Sequence, residues 1–226
     1  MDQNRRDRVE ACRENLAKFS EGKWRLCDVI TGDESWFYLR QIGHKSSNAS
    51  WVAEGEFPRT IVRRDRFEPK SMFSIFFKTT GVVHIDCMEK GLTITSNYYV
   101  NNCLYPVLQE IIKQRPTSGT KSMKFLHDNA RPHVTKEVKT YLNEAGIIII
   151  RHPPYSPDLA PSDYWQFDYI NSRLDDHADV ESQKRQITKI LRAIPKEEYK
   201  KIFDKYLERL QLCINNNGDY FEHLIN

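Results

Sequence analysis

The chain has 226 residues, 39% of them hydrophobic and 12% aromatic, which suits one large buried core better than two small domains. No apolar run approaches the ~18 residues that a membrane span needs, and the opening MDQNRRDRVEACRENL lacks the pattern of a signal peptide. A net charge of +3 is too mild by itself to argue for nucleic acid, and five scattered cysteines without a CxxC pair suggest neither a zinc knuckle nor a disulfide framework, in keeping with a reducing intracellular compartment.

Residues 2–19 carry Val9, Cys12, Leu16 and Phe19 at three- and four-residue steps with arginines opposite, which predicts a helix. The run 26–31 predicts a short strand that stops at Gly32, and 35–40 predicts a second one. Residues 43–70 mix Gly, Ser, Asn, Pro and charge without period and predict a long excursion. Within it, Arg59, Arg63, Arg64, Arg66 and Lys70 meet only Asp65 and Glu68. Such a loop is suited to neutralising backbone phosphates, and equally to lying solvated. A hairpin follows, with strands at 71–79 and 82–88 about a Thr80-Gly81 turn.

Tyr99, Cys103, Val107, Leu108 and Ile111 mark a helix from about 96 to 115, and MKFLHD (123–128) is a strand ending in polar residues. Pro132 is the expected start of a helix carrying Val134, Val138, Tyr141 and Leu142, with Gly146 as its C-cap. Residues 147–150 predict a buried strand. HPPYSPDLAP (152–161) has four prolines in ten residues and excludes regular structure. Helices are then expected at 161–175, 181–193 and 196–214, the last with a face of Tyr199, Ile202, Phe203, Tyr206, Leu210 and Ile214. This order implies an α/β fold within a single domain over 1–226. Its mixed sheet has antiparallel strands first and parallel ones after, flanked by helices, with a helical C-terminal region.

Three aspartates fall where chemistry would place them. Asp33 follows the first strand, Asp128 ends the strand MKFLH, and Asp163 opens the helix after the proline-rich loop. Strand ends in such sheets converge on one rim. Hard oxygen ligands suit Mg²⁺ or Mn²⁺, and two such ions about 3.5–4 Å apart serve in-line phosphoryl displacement. A helix N-terminus also favours ionised Asp163. Each aspartate has a plain alternative: a turn beside Gly32, a cap before the next helix, an ordinary first-turn acid.

Glu34 is expected to point to the opposite face, Asp158 to be a turn residue, and Asp86 to alternate out of the sheet. His127, Asn129 and His133 flank the second aspartate, where they could touch substrate or orient a ligand, with a hydrogen-bonding role near the rim as the plainer reading. Lys124 and Arg131 are candidates for phosphate contact. His152 and Tyr155 are expected to shape the proline loop, with DNA contact as the alternative. Trp36, Trp51 and Trp165 read as core or loop anchors rather than base-stacking platforms.

TGDESWF, HDNARPH and HPPYSPDLAPSDYWQF resemble the three catalytic blocks of mariner transposases, with 34 residues between Asp128 and Asp163 as in that branch. EKGLTITSNYY (89–99), the step from Arg8 to Cys12 in the basic N-terminal helix, and CINNNGDYFE (213–222) extend the resemblance over almost the whole chain. It implies an RNase H-like fold of the retroviral-integrase type, a five-stranded mixed sheet with helices on both faces. It further implies cut-and-paste transposition of DNA: Mg²⁺-dependent hydrolysis at transposon ends, with Mn²⁺ as substitute, then attack of the freed 3′-hydroxyl on a TA target. Asp33 and Asp128 would hold two ions, with Asp163 as third ligand.

The segment 43–70 would be a clamp loop reaching the partner of a homodimer, and the compartment would be the nucleus. Members of the family carry helix-turn-helix modules upstream that nothing before residue 20 supplies, so an isolated catalytic domain is expected. Two other readings stand beside this one. A nuclease of the same fold is opposed by the SPDLAPSD string, and a domesticated remnant that binds DNA or a partner without catalysis is opposed by the intact aspartates.

Overall fold

The computed structural model describes residues 3–40 and 68–225. The predicted clamp loop, except its last three residues, lies outside them, as do Trp51, Arg59, Arg63, Arg64 and Arg66. Among the described residues, no helix is long and apolar enough to cross a membrane.

Helix α1 (Gln3–Ser20) buries Arg8, Val9, Ala11, Cys12 and Asn15. A 3₁₀ turn, Leu26–Asp28, leads into β1 (Val29–Tyr38), a single ten-residue strand where two short ones were expected. Gly32 does not end the strand. It lies opposite Phe76 of β2 (Lys70–Lys78), and a Cβ built on it would stand 2.1 Å from the Phe76 ring. Glycine inside a strand marks such a close approach, and here it lets an aromatic ring cross β1.

The hairpin to β3 (Gly81–Cys87) turns at residues 79–80, one position earlier than predicted, with Gly81 already paired to Lys78. With β4 (Lys124–Leu126) and β5 (Ile148–Ile149), the sheet order is β3-β2-β1-β4-β5. β1–β2 and β2–β3 run antiparallel; β1–β4 and β4–β5 run parallel. This is the mixed sheet the order of elements implied.

Alternation along the strands divides the apolar residues between two cores. Val29, Phe37, Phe73, Ile75, Phe77 and Leu126 face one of them. There they meet Cys12 of α1, Ile170 of α5 (Phe167–Asn171), Ile187 and Leu191 of α6 (Val180–Ala193), and Tyr199, Phe203 and Leu210 of α7 (Lys196–Asn215). Ile30, Phe76 and Phe125 face the other. Their partners come from α2 (Ser96–Tyr98), the π turn Tyr99–Leu104 and α3 (Tyr105–Gln114), which together form one helical run, and from α4 (Lys136–Glu144).

Helix α4 begins later than Pro132 suggested, because Thr135 is its N-cap and accepts the Val138 N–H at 3.3 Å. At its far end Gly146 takes φ +71°, the left-handed C-cap expected of it.

The proline-rich segment is fastened by an ion pair at Asp158, which is the turn residue expected and also the partner of a distant cation. Asp158 sits in a 3₁₀ turn, Pro157–Leu159, and is only 3% exposed. Arg8 of α1, also 3% exposed, grips it with both terminal nitrogens, at 2.8 and 2.5 Å. The same guanidinium donates to the Ser156 hydroxyl and to the Gly218 carbonyl, while Arg209 of α7 donates to the Asp158 carbonyl. One buried cation thus ties the first helix, the proline loop and the C-terminal segment together. Removing one partner of a buried pair leaves the other uncompensated, at about 3–5 kcal/mol. Asp158→Ala is expected to lower the unfolding free energy by that amount in urea titrations; a loss under ~1 kcal/mol would contradict this account.

Candidate functional site

Asp33 lies inside β1 rather than just beyond a strand, paired with Ile75 of β2. By alternation it shares the face of Val29 and Phe37, towards α5. β4 runs parallel to β1 with Leu126 level with Thr31, so the chain two residues further on brings Asp128 level with Asp33. Thr31 donates its hydroxyl to the Leu126 carbonyl at 3.0 Å and locks that register. Asp163 comes in the first turn of a π-helical segment, Ser162–Gln166, which runs into α5 and packs on β1. The structure therefore brings the three aspartates to one rim, as the sequence reading expected.

Their electrostatics show the strain of that meeting. Burial, then the charges of Glu34, Asp163 and Asp128, push the Asp33 carboxyl well above the usual range, although the Glu34 N–H donates to its Oδ1 at 2.7 Å. Burial and the charge of Asp128 push Asp163 up to about 6. Asp128 behaves differently. Burial opposes its charge, but the His133 ring and the Ala130 N–H overcome this and hold it below the usual range.

His133 does more than pack near the rim. Its Nδ1 lies 2.6 Å from Asp128 Oδ1, and its Nε2 stands 3.1 Å from Glu34 Oε2 as an ion pair rather than an aligned hydrogen bond. Burial disfavours its charge, yet the two carboxylates push it up to about 9. Glu34 points away from Asp33's face, as expected, but is not idle: it reaches Asp128 through this ring. The pattern HDNARPH held the signal, since a turn with His133 N donating to the Ala130 carbonyl folds the histidine back onto the aspartate five residues before it. His127, by contrast, is held near 3 by burial and by the charge of His133, and is a neutral packing partner.

Other candidates fall elsewhere. Lys124 stands at the opposite end of β4 from Asp128, buried, with its ammonium on the Ser122 carbonyl, so it does not border the carboxylates. Arg131 is exposed near Asp128. The cations that line the same small cavity as Asp128 are Lys139 and Arg151, the latter paired to Glu10 at 2.9 Å. Asn129 donates to the His152 carbonyl, and Tyr98 donates to Asp86 at 2.6 Å. Trp165 packs on Phe77 and Tyr199, whereas Trp36 is 44% exposed beneath the Lys70 ammonium.

All the oxygens that converge are hard carboxylate donors, and their mutual repulsion is what a divalent cation relieves, so the residues fit one. Among the described residues, no three of His, Cys, Asp or Glu close tightly enough to cage an ion alone. An ion at this rim would complete its shell with water or phosphate oxygens, as Mg²⁺ commonly does.

In the absence of divalent cations the site should destabilise the fold. A carboxyl whose folded pKa is raised stabilises only in its protonated form, so stability falls as pH rises from about 4, its unfolded value, to the folded one. Asp163→Asn is therefore expected to exceed the parent in unfolding free energy at pH 7.5 by roughly 1–2 kcal/mol, a gain that vanishes near pH 4. Equal stability at both pH values would contradict the repulsion.

The family described as Transposase (partial DDE domain) matches residues 42–121, a stretch that lies between Asp33 and Asp128. The mariner Mos1 transposase of Drosophila mauritiana is 28% identical over 219 residues, covering 95% of this chain and 62% of that protein. The histone-lysine N-methyltransferase SETMAR of Homo sapiens is 29% identical over 201 residues, covering 86% of this chain and 28% of that protein. The chain thus spans less than two thirds of the length of these relatives. The Mos1 mariner paired-end complex with Mn superposes with a TM-score of 0.89 at 28% identity, over 98% of this chain and 65% of that one. The Mos1 catalytic domain superposes at 0.78 and 24% identity, over 98% and 97%, which shows the RNase H-like fold. By these likenesses the chain is similar to the mariner Mos1 transposase, and its mixed five-stranded sheet with three aspartates on the rim has the fold of that protein's catalytic domain.

Proposed function

We propose that this chain cuts and rejoins DNA strands as the catalytic part of a cut-and-paste transposase. The observation that carries the proposal is the convergence of Asp33, Asp128 and Asp163 from three separate elements onto one rim, where two of them resist ionisation. The Mos1 relatives support it: they are solved with a transposon end, as a strand transfer complex, and with Mn or Mg.

Asp33 and Asp128 would hold two divalent ions, with Asp163 as a third ligand. When bound, such ions generate the attacking oxygen and stabilise the leaving oxygen of an in-line displacement. The chain's own residues prepare that arrangement. Asp33 is fixed by a strand paired on both sides, and the Glu34 N–H anchors one of its oxygens. Asp128 is held by Ala130 and His133 at Oδ1, which leaves Oδ2 outside that pair of hydrogen bonds. Asp163, at a helix start, gains from the helix dipole on ionising and gives up its proton when a cation arrives.

One centre serves both steps, because each replaces one phosphodiester oxygen by another. Water is the nucleophile in cleavage of the end, and the freed 3′-hydroxyl is the nucleophile in joining to a TA target. The double-ended reaction calls for two such chains as a homodimer. The chain, joined to helix-turn-helix modules that recognise the chosen end, is expected to join a pre-nicked end to TA sites in Mg²⁺. Losing several kcal/mol of metal assistance in Asp33→Ala or Asp128→Ala should reduce joining by about 10³-fold or more. Joining that survives both substitutions would overturn the assignment.

A further inference from the structure

Asp128 is more tightly held than the other two aspartates, and the hold comes from outside the triad. Its Oδ1 receives two donors, the Ala130 N–H at 2.9 Å and His133 Nδ1 at 2.6 Å. The His133 ring is only 1% exposed, lies 4.1 Å from the Tyr99 ring and stacks on His127 at 5.4 Å, so it has no room to swing. Its second nitrogen is pinned by Glu34, which hangs from the other face of β1. Glu34 is itself nearly enclosed, with Oε1 buried and lacking a hydrogen-bond partner. A packing residue between Tyr99 and His127 would need no such acid. Holding a carboxylate there with one oxygen unpartnered is explained if the work of the other is to aim the ring.

We propose that His133 is a positioning residue, braced by Glu34 and Tyr99, that fixes the plane of the Asp128 carboxylate and so reserves its second oxygen for a divalent cation. This rests on the metal-site reading given above. Partners that orient a metal ligand are worth 10–100-fold in affinity when removed. The chain of contacts Glu34–His133–Asp128 also links the two faces of the sheet at the rim, so the strand that carries Asp33 helps to aim Asp128.

The test is Mn²⁺ binding to the whole chain, followed by electron paramagnetic resonance, with thermal melts to confirm folding. His133→Phe keeps the ring and its packing but removes both donors, and it is expected to weaken Mn²⁺ binding by about 10–100-fold. His133→Asn restores a donor at the Nδ1 position and should recover affinity to within ~3-fold of the parent. Should H133F not melt cooperatively, His133→Gln, which is polar but lacks a donor at that position, takes its place.

In strand joining, the same variants should raise the Mg²⁺ concentration for half-maximal rate while the rate at saturating Mg²⁺ recovers. Parent-like Mn²⁺ affinity in H133F, or equal weakening in H133F and H133N, would overturn the proposal. Asp128→Asn run in parallel separates the two readings. If it weakens Mn²⁺ binding and H133F does not, only the positioning role falls. If it has no effect, the metal site falls and the positioning role with it.

Discussion

β1 runs between two cores and is paired along its length, and that single constraint organises everything at the rim. Its even and odd residues feed opposite faces, so Val29 and Phe37 bury themselves against the C-terminal helices while Ile30 packs with Tyr99 and Phe125. Gly32 keeps the strand unbroken where the Phe76 ring needs its space. The next two positions, Asp33 and Glu34, therefore have fixed directions. One joins the triad and the other reaches the histidine behind it.

Burying charge at this rim works against folding, and the rest of the molecule compensates. Asp33 and Asp163 are pushed towards their protonated forms, whereas Asp128 is kept ionised by His133 and a backbone N–H. The strain is local, and a cation of the right charge at the rim would remove it. The same repulsion would then favour binding of that cation. The far side of the molecule is secured separately, by the Arg8–Asp158 pair that holds the proline loop against α1 and α7.

Much of this could be read from the residues. Element order gave the mixed sheet, the four prolines gave the irregular loop, and the blocks around Asp33, Asp128 and Asp163 marked the three carboxylates. What escaped depends on contacts distant in sequence. Gly32 reads as a strand end because nothing local announces the Phe76 ring. Asp158 reads as a turn acid because its cation lies 150 positions away. Lys124 sits only four residues from Asp128, yet the direction of β4 puts it at the other end of the strand. Pro132 reads as a helix start, but the turn persists so that His133 can fold back. His133 and Glu34 were visible as residues but not as a pair, since their meeting needs two strands in register and a turn.

The chemistry assigned to the rim depends on where a divalent ion sits. The most direct measurement is anomalous diffraction at the Mn absorption edge from crystals of this chain grown with a nicked duplex end and Mn²⁺. That assignment predicts anomalous density between Asp33 and Asp128, with Asp163 facing it from the third side. Density confined to other carboxylates, or none at the rim with DNA phosphate in place, would contradict it.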